Sequence, residues 1–201
     1  MFETIIIDDV VDIETQREIH KVLMEQADWK FLNDVSGIAG QTYPSHGFVH
    51  ILYHPDPYVV STSILYDKVS KLILDSLTKL GYNIKDNYYN RAFLQLPLAE
   101  QYKKEHNGVH VDLPSNIPHV ACVYYVNGSD GDTIIFEQTV NDTPGGSTNI
   151  ELTEHKRVTP KRGRLVMFDG SRYHCSSQPT INYRCIINFD LIMNQWPTRT
   201  Q

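Results

Sequence analysis

The sequence contains few cysteines, and none lies in a pattern typical of a disulfide framework or a zinc site. Its 201 residues include only Cys122, Cys175 and Cys185, without a CxxC pair. Each lies in or beside an apolar stretch, which is typical of reduced thiols in a protein core. We therefore expect a fold without disulfides and a reducing location, the cytoplasm.

Long apolar runs are also missing. No segment approaches the roughly 20 apolar residues that cross a bilayer. The first nine residues carry neither a basic region nor a long apolar run. We expect no membrane partner.

Positive charge is scarce as well. Eighteen Lys and Arg against 24 Asp and Glu give a formal net charge of −6. Because phosphate contacts require clustered basic side chains, this balance argues against nucleic acid as a partner. The one dense basic stretch, residues 156–164, is interpreted as a solvated loop beside a strand. Hydrophobic content of 41% and charged content of 21% indicate an ordinary globular chain, with one domain as the expectation.

The order of patterns predicts a mainly β domain with flanking helices. Residues 2–11 read as a strand, and a capping-box spacing at Thr15 and Glu18 predicts a helix behind it. A second helical stripe runs from 60 to 80, with Gly81 placed to end it. Short apolar runs follow at 91–96, 120–126, 133–136, 164–168 and 183–192. We predict a single domain over 1–201, in which 1–87 supports a β core at 88–192 arranged as a jelly roll.

A set of potential metal ligands lies in the C-terminal half. In His110-Val111-Asp112, residues i and i+2 of an extended segment point to the same side. His174 follows an apolar run and a turn. Two imidazoles and one carboxylate are the set that holds ferrous iron on one face and leaves the opposite face open.

Other histidines offer alternatives to this set. A second triplet, His54-Pro55-Asp56, is interpreted as a turn because two prolines flank its aspartate. A structural zinc site built from His106, His119 and His155 stays open, although no pair has the usual close spacing.

Arg184 follows His174 by ten residues. Alternation along its strand places Arg184, Ile186 and Asn188 on one face. A buried arginine there costs several kcal/mol unless it meets an anion. That anion is either a small dicarboxylate or an internal acid, Asp169 or Asp190.

Taken in order, these segments resemble the 2-oxoglutarate- and iron(II)-dependent dioxygenases, in particular the prolyl-4-hydroxylase-like branch. The resemblance covers roughly residues 88–191, with its strongest stretches at 110–114, 123–127, 131–136 and 160–168, followed by His174 and Arg184. It implies a double-stranded β-helix in which His110, Asp112 and His174 form the catalytic iron site. It also implies that Arg184 binds the far carboxylate of 2-oxoglutarate.

The resemblance suggests further cosubstrate residues. Tyr125 occupies the position of a tyrosine that joins the arginine, with Tyr124 as the alternative if the register shifts. Gln95 and Tyr102 are candidates for hydrogen bonds to the cosubstrate. The implied reaction hydroxylates an aliphatic C–H bond, such as that of peptidyl proline, with O2, with ascorbate as a further cofactor, and with release of succinate and CO2.

Two departures from the family pattern bear on specificity. Asp130-Gly131-Asp132-Thr133 stands where the family often has Gly-Gly-Glu-Thr, and residues 138–159 form a long polar stretch. We interpret that stretch as a substrate-facing hairpin. The expected substrate is a peptide, a protein or a small molecule, and oligomeric state stays open.

Three other functions are less consistent with the sequence. A nucleic-acid demethylase of the same superfamily usually carries a second arginine after the last ligand, which the run at 183–189 lacks. A non-catalytic jelly-roll binding module would have lost a ligand, and none is missing. A zinc-containing cupin-type isomerase would normally use a richer cluster of His and Glu.

Overall fold

The computed structural model describes residues 2–35, 45–55, 62–102, 106–142 and 151–197. Within these ranges the chain forms ten strands and two α-helices. In chain order they are β1 (Ile5–Ile7), α1 (Ile13–Gln26), β2 (Lys30–Leu32), β3 (Gly47–Tyr53), α2 (Ser70–Lys79), β4 (Ile84–Gln95), β5 (Val120–Tyr125), β6 (Thr133–Thr139), β7 (Glu154–Val158), β8 (Leu165–Asp169), β9 (Arg172–Ser176) and β10 (Arg184–Met193).

The strands build two antiparallel sheets. The larger sheet has seven strands in the order β1-β8-β5-β10-β4-β3-β2, and the smaller has the order β7-β6-β9. Several neighbouring strands, such as β1 with β8 and β5 with β10, come from distant parts of the chain, as in a jelly roll. The predicted mainly β architecture with flanking helices is confirmed.

Helix α1 begins earlier than its capping box predicted. Asp12 is the N-cap, and its Oδ1 accepts hydrogen bonds from the backbone N–H groups of Glu14 and Thr15 at 3.0 and 2.9 Å. Thr15 is therefore the third residue of the helix, because the aspartate upstream already satisfies the free N–H groups. Buried Val22 and Leu23 face the sheet.

Helix α2 is shorter than predicted, and residues 60 and 61 of the predicted stretch lie outside the described ranges. Leu65 and Val69 of the predicted stripe precede the helix and are buried in the core, whereas Ile64 is 91% exposed. Gly81 ends the helix with φ +92°, as its position predicted. The N–H of Tyr82 donates to the carbonyl of Leu77 at 3.1 Å, which completes a Schellman cap.

The two faces of the larger sheet have different partners. Cys122 and Tyr124 of β5 point into an apolar core shared with both helices. Ala121, Val123 and Tyr125 point to the opposite face, towards the smaller sheet. All three cysteines are buried and unpaired. The face that contacts the smaller sheet carries the candidate site.

The N-terminal part contributes more to the β core than the sequence predicted. Residues 1–87 were expected to supply one strand, yet β1, β2 and β3 all belong to the larger sheet. β1 spans only three residues of the predicted 2–11, and β4 begins at Ile84 instead of 91. Within the described ranges, no helix has the length and apolar character needed to cross a membrane.

Candidate metal centre

His110, Asp112 and His174 form one cluster between the two sheets. His110 lies on the connection from β4 to β5 and bridges His174 of β9, each backbone N–H donating to the other's carbonyl at 3.0 Å. Asp112 follows two residues later. One potential ligand atom from each of the three side chains lies within 4.8 Å of the others.

Backbone carbonyls orient both imidazoles. Nδ1 of His110 is 2.8 Å from the carbonyl oxygen of Gly108, and Nδ1 of His174 is 3.2 Å from that of Arg172. Because a carbonyl only accepts, each Nδ1 carries the hydrogen and each Nε2 is left for the cluster.

The distances in the cluster suit a divalent ion. Nε2 of His174 is 3.2 Å from Oδ2 of Asp112, and Nε2 of His110 is 4.0 Å from Oδ1. Metal bonds of about 2.1 Å at right angles place neighbouring ligand atoms about 3 Å apart. The donor set and spacing therefore fit the iron that the resemblance implies.

The electrostatics of the cluster favour an ionised Asp112. Burial raises the pKa of this carboxyl, but the hydrogen bond with His174 and the charges of His174 and Arg91 outweigh it and hold the pKa well below its usual range. The pKa of His174 is raised because Asp112 outweighs the effect of burial. An arriving metal ion must displace the proton that these two groups share.

Arg91 of β4 lies against the cluster and was not found from the sequence. Its Nη2 donates to Oδ1 of Asp112 at 2.9 Å and lies 3.5 Å from Oδ2 of Asp190. The guanidinium carbon is 4.2 Å from the ring centroid of Tyr89 and 5.5 Å from that of Phe93. The only signal was the expectation that residues 91–96 line the barrel.

Asp190 and His119 form a buried pair behind Arg91. Their side chains are 1% and 3% exposed, and Nε2 of His119 is 3.9 Å from Oδ1 of Asp190. Burial, reinforced by the charge of Asp112, raises the pKa of Asp190 to about 8. The imidazole packs on Gly170, where a Cβ atom would lie 2.2 Å from Nε2.

Arg184 is buried, and neutral acceptors take its hydrogen bonds. Nε donates to the carbonyl of Gly131 at 2.9 Å, and Nη2 donates to Oγ1 of Thr133 at 2.8 Å. The hydroxyl of Tyr125 also donates to Thr133, at 2.7 Å. Thr133 therefore joins the two predicted residues. Its place in the Asp130-to-Thr133 motif was the signal that could have identified it.

The three potential ligands, Arg91, Thr133 and Arg184 line one cleft of about 330 Å³. In the β10–β4 register, Arg184 faces Gln95 and Asn188 faces Arg91. Four residues along a strand span about 13 Å, so the cleft has an Arg184 end and a metal end. Its polar lining includes Arg184, Thr133 and Gln95 at the first end and His110, Asp112, Arg91 and His174 at the second, with Ser176 and Asn188 also lining the cleft.

Of the other predicted cosubstrate residues, only Gln95 lines the cleft among the described residues. Gln95 is buried and donates to Oε1 of Gln178 at 3.1 Å while lining the cleft. Tyr102 lies in a short 3-10 turn and is not among the described residues that line it. Tyr124 lies on the helix side of β5, so the alternative register does not occur.

The alternative histidines do not join the cluster. Asp56 of the second triplet lies outside the described residues. His106 and His155 are exposed, and His119 belongs to the buried pair with Asp190. Of the predicted hairpin at 138–159, residues 143–150 lie outside the described ranges. The described remainder includes β7, which pairs with β6.

No protein-family model and no curated protein sequence matches the chain, whereas solved structures do. A Trichoplax adhaerens prolyl hydroxylase in complex with a hypoxia inducible factor peptide fragment matches 94% of this chain and 83% of its own, at 12% identity and TM-score 0.57. A 2OG-Fe(II) oxygenase family oxidoreductase from Burkholderia pseudomallei matches 94% and 84%, at 11% identity and TM-score 0.63.

A third structure has a different activity. The non-heme α-ketoglutarate-dependent epimerase SnoN from nogalamycin biosynthesis matches 94% of this chain and 76% of its own, at 10% identity and TM-score 0.61. At these identities the similarity establishes the fold. The chain has the double-stranded β-helix of the 2-oxoglutarate- and iron(II)-dependent oxygenases, as predicted.

Proposed function

We propose that the chain is an iron(II)- and 2-oxoglutarate-dependent dioxygenase that hydroxylates an aliphatic C–H bond. The observation that carries this proposal is the arrangement of one cleft. Two Nε2 atoms and a carboxylate oxygen converge at one end, and a buried arginine lies at the other.

The metal end would hold the ion. His110, Asp112 and His174 supply three ligands on one side, which leaves positions facing the cleft. Iron held in this way supplies the oxidising chemistry together with dioxygen and the keto acid, and the protein supplies ligation, orientation and shielding. The imidazoles need no reorganisation, since both already present Nε2 to the cluster.

The Arg184 end would hold the far carboxylate of 2-oxoglutarate. Thr133 Oγ1 accepts hydrogen bonds from Arg184 and Tyr125, so its own hydroxyl hydrogen is left for an acceptor in the cleft. Burial raises the pKa of Tyr125 to about 12, which keeps it protonated as a donor. Gln95, opposite Arg184, adds a further polar group.

The substrate class is the finer part of the proposal. The Trichoplax structure contains a peptide, and SnoN acts in the biosynthesis of a small molecule. Peptidyl proline is therefore one candidate within a wider group of peptides and small molecules. A non-catalytic binding module would not need all three ligands, and the described cluster retains them.

An anaerobic titration tests the proposal. Fe(II) and 2-oxoglutarate are added to the apo protein, and the visible iron-to-ketoacid charge-transfer band is recorded. We expect a band that His174→Ala abolishes. Arg184→Ala should weaken 2-oxoglutarate binding at least about tenfold, because charge-assisted hydrogen bonds are lost. His155→Ala, an exposed histidine on β7, is the matched control and should retain the band.

A second stage identifies the reaction. In air, the protein with a panel of peptides, amino acids and oligonucleotides should form succinate faster with one class. If folded protein shows no charge-transfer band, the oxygenase proposal fails and a binding module replaces it.

A further inference from the structure

The metal end of the cleft contains a second arginine, Arg91. The proposed ion and cosubstrate require Arg184 and the three ligands, and Arg91 is additional to them. We propose that Arg91 binds a carboxylate group of the substrate, so that the enzyme acts on a carboxylic acid. This inference rests on the proposed function and specifies its substrate class.

The guanidinium of Arg91 is fixed before any ligand arrives. The rings of Tyr89 and Phe93 flank it, and its Nη2 donates to Asp112. Its side chain is 18% exposed, and its Nε has no hydrogen-bond partner among the described residues. A rigid, partly exposed guanidinium with planar donor geometry is suited to planar anions.

Asp190 does not neutralise Arg91. Nδ1 of His119 is 2.9 Å from the carbonyl oxygen of Ile117 and therefore carries a hydrogen. Its Nε2 and Oδ1 of Asp190 face each other at 3.9 Å, and neither has another partner among the described residues. Two facing lone pairs repel, and burial together with the charge of Asp112 raises the pKa of the Asp190 carboxyl to about 8. Burial lowers the pKa of His119, so near neutral pH the carboxyl holds a proton, the imidazole is neutral and the pair has no net charge.

The charges that line the cleft then leave an excess. Arg91, Arg184 and a divalent ion supply four positive charges, whereas Asp112 and a dicarboxylate cosubstrate supply three negative ones. Among the described lining residues, no other acid balances the remaining charge. Since an unmatched buried charge is costly, the substrate is expected to bring one negative charge.

A carboxylate fits this excess better than a phosphate. One carboxylate carries a single charge, whereas a phosphate monoester carries about −1.5 to −2 at pH 7. The planar guanidinium also matches the planar carboxylate, and the flanking rings suit the apolar carbon beside it. The carboxylate would lie at the metal end, close to the C–H bond that reacts.

The test uses Mn(II) as a paramagnetic ion in the full chain. Protein saturated with Mn(II) and 2-oxoglutarate is mixed with acetate or with acetamide, and the proton relaxation of each probe's methyl group is measured. Wild type should relax acetate more than acetamide. Arg91→Gln keeps a donor for Asp112 but loses the charge, and it should bind acetate about tenfold more weakly. Arg17→Gln, at an exposed arginine of α1, should behave as wild type.

The outcomes separate this inference from the proposed function. If the methylene protons of 2-oxoglutarate are not relaxed by Mn(II), the proposed function fails and the inference fails with it. If they are relaxed but acetate and acetamide are relaxed equally by wild type, only the inference is overturned. The same holds if Arg91→Gln still relaxes acetate more than acetamide. Failure of folded Arg91→Gln to bind Mn(II) also overturns it, because Arg91 then serves to position Asp112.

Discussion

Replacing Thr133 by valine tests whether one hydroxyl organises the Arg184 end of the cleft. Valine keeps the β-branched shape that suits β6 and replaces the hydroxyl group with a methyl group. In wild type that oxygen accepts hydrogen bonds from Arg184 at 2.8 Å and from Tyr125 at 2.7 Å. The substitution therefore leaves the buried donors of Arg184 and Tyr125 without their acceptor. It also removes the hydroxyl hydrogen that can donate to a ligand in the cleft.

The expected magnitudes follow from those contacts. Each buried donor left without a partner costs about 1–3 kcal/mol, so Thr133→Val should lower the free energy of unfolding by about 2–6 kcal/mol. The lost hydrogen bond from the hydroxyl to the 2-oxoglutarate carboxylate is worth about 1.5–3 kcal/mol. The dissociation constant for 2-oxoglutarate should therefore rise about 10- to 150-fold.

Two measurements check these values. Urea unfolding reports stability, and the anaerobic charge-transfer titration reports 2-oxoglutarate affinity. Thr139→Val is the matched control, since Thr139 is a buried threonine at the other end of β6 whose hydroxyl contacts Asp142 at 2.9 Å. It should lose some stability and bind 2-oxoglutarate normally. Normal 2-oxoglutarate binding by Thr133→Val would refute the assigned role of the hydroxyl.

Two further substitutions test the fold around the site. The hydrogen bond from Arg164 lowers the pKa of Asp8 to about 2. A lowered pKa stabilises the fold above the unfolded value of about 3.9, and that stability is lost as the pH falls towards 2. Asp8→Asn should therefore lower the free energy of unfolding in urea more at pH 7 than at pH 3. The loss at pH 7 should be less than about 1 kcal/mol because Asp8 is 40% exposed, and equal losses at both pH values would contradict this. Gly170→Ala should cost about 1–3 kcal/mol in urea unfolding because its Cβ would overlap the His119 ring. Gly128→Ala, whose nearest contact is 3.9 Å away, is the control, and an equal effect of both would contradict the packing argument.

The sequence predicted those features of the structure that depend on residues close together in the chain. The alternation of Arg184, Ile186 and Asn188 predicted one face of a strand, and all three line the cleft. The mainly β fold was predicted because short apolar runs and turn residues are local signals. The roles of His110, Asp112 and His174 as ligands stay a prediction, although the structure places them together.

Features that depend on distant pairing could not be predicted. Arg91 lies on β4, in the larger sheet beside β10. Asp112 reaches it because the chain after β4 crosses to the smaller sheet, where His110 bridges His174. Contact between His119 and Asp190 requires the same folded arrangement. Two local predictions failed for local reasons. Asp12 caps α1 in place of Thr15, and residues 64–69 form turns before α2 although Leu65 and Val69 there are buried as the stripe predicted.

The bridge between His110 and His174 has a consequence for unfolding kinetics. The two residues are 64 positions apart (110 to 174), and Asp112 is tied through Arg91 to the larger sheet. An ion held by all three side chains would therefore link the two sheets across a long stretch of chain. Contacts that close long loops generally form late in folding. Bound metal should accordingly slow the unfolding of this protein and leave its refolding rate nearly unchanged.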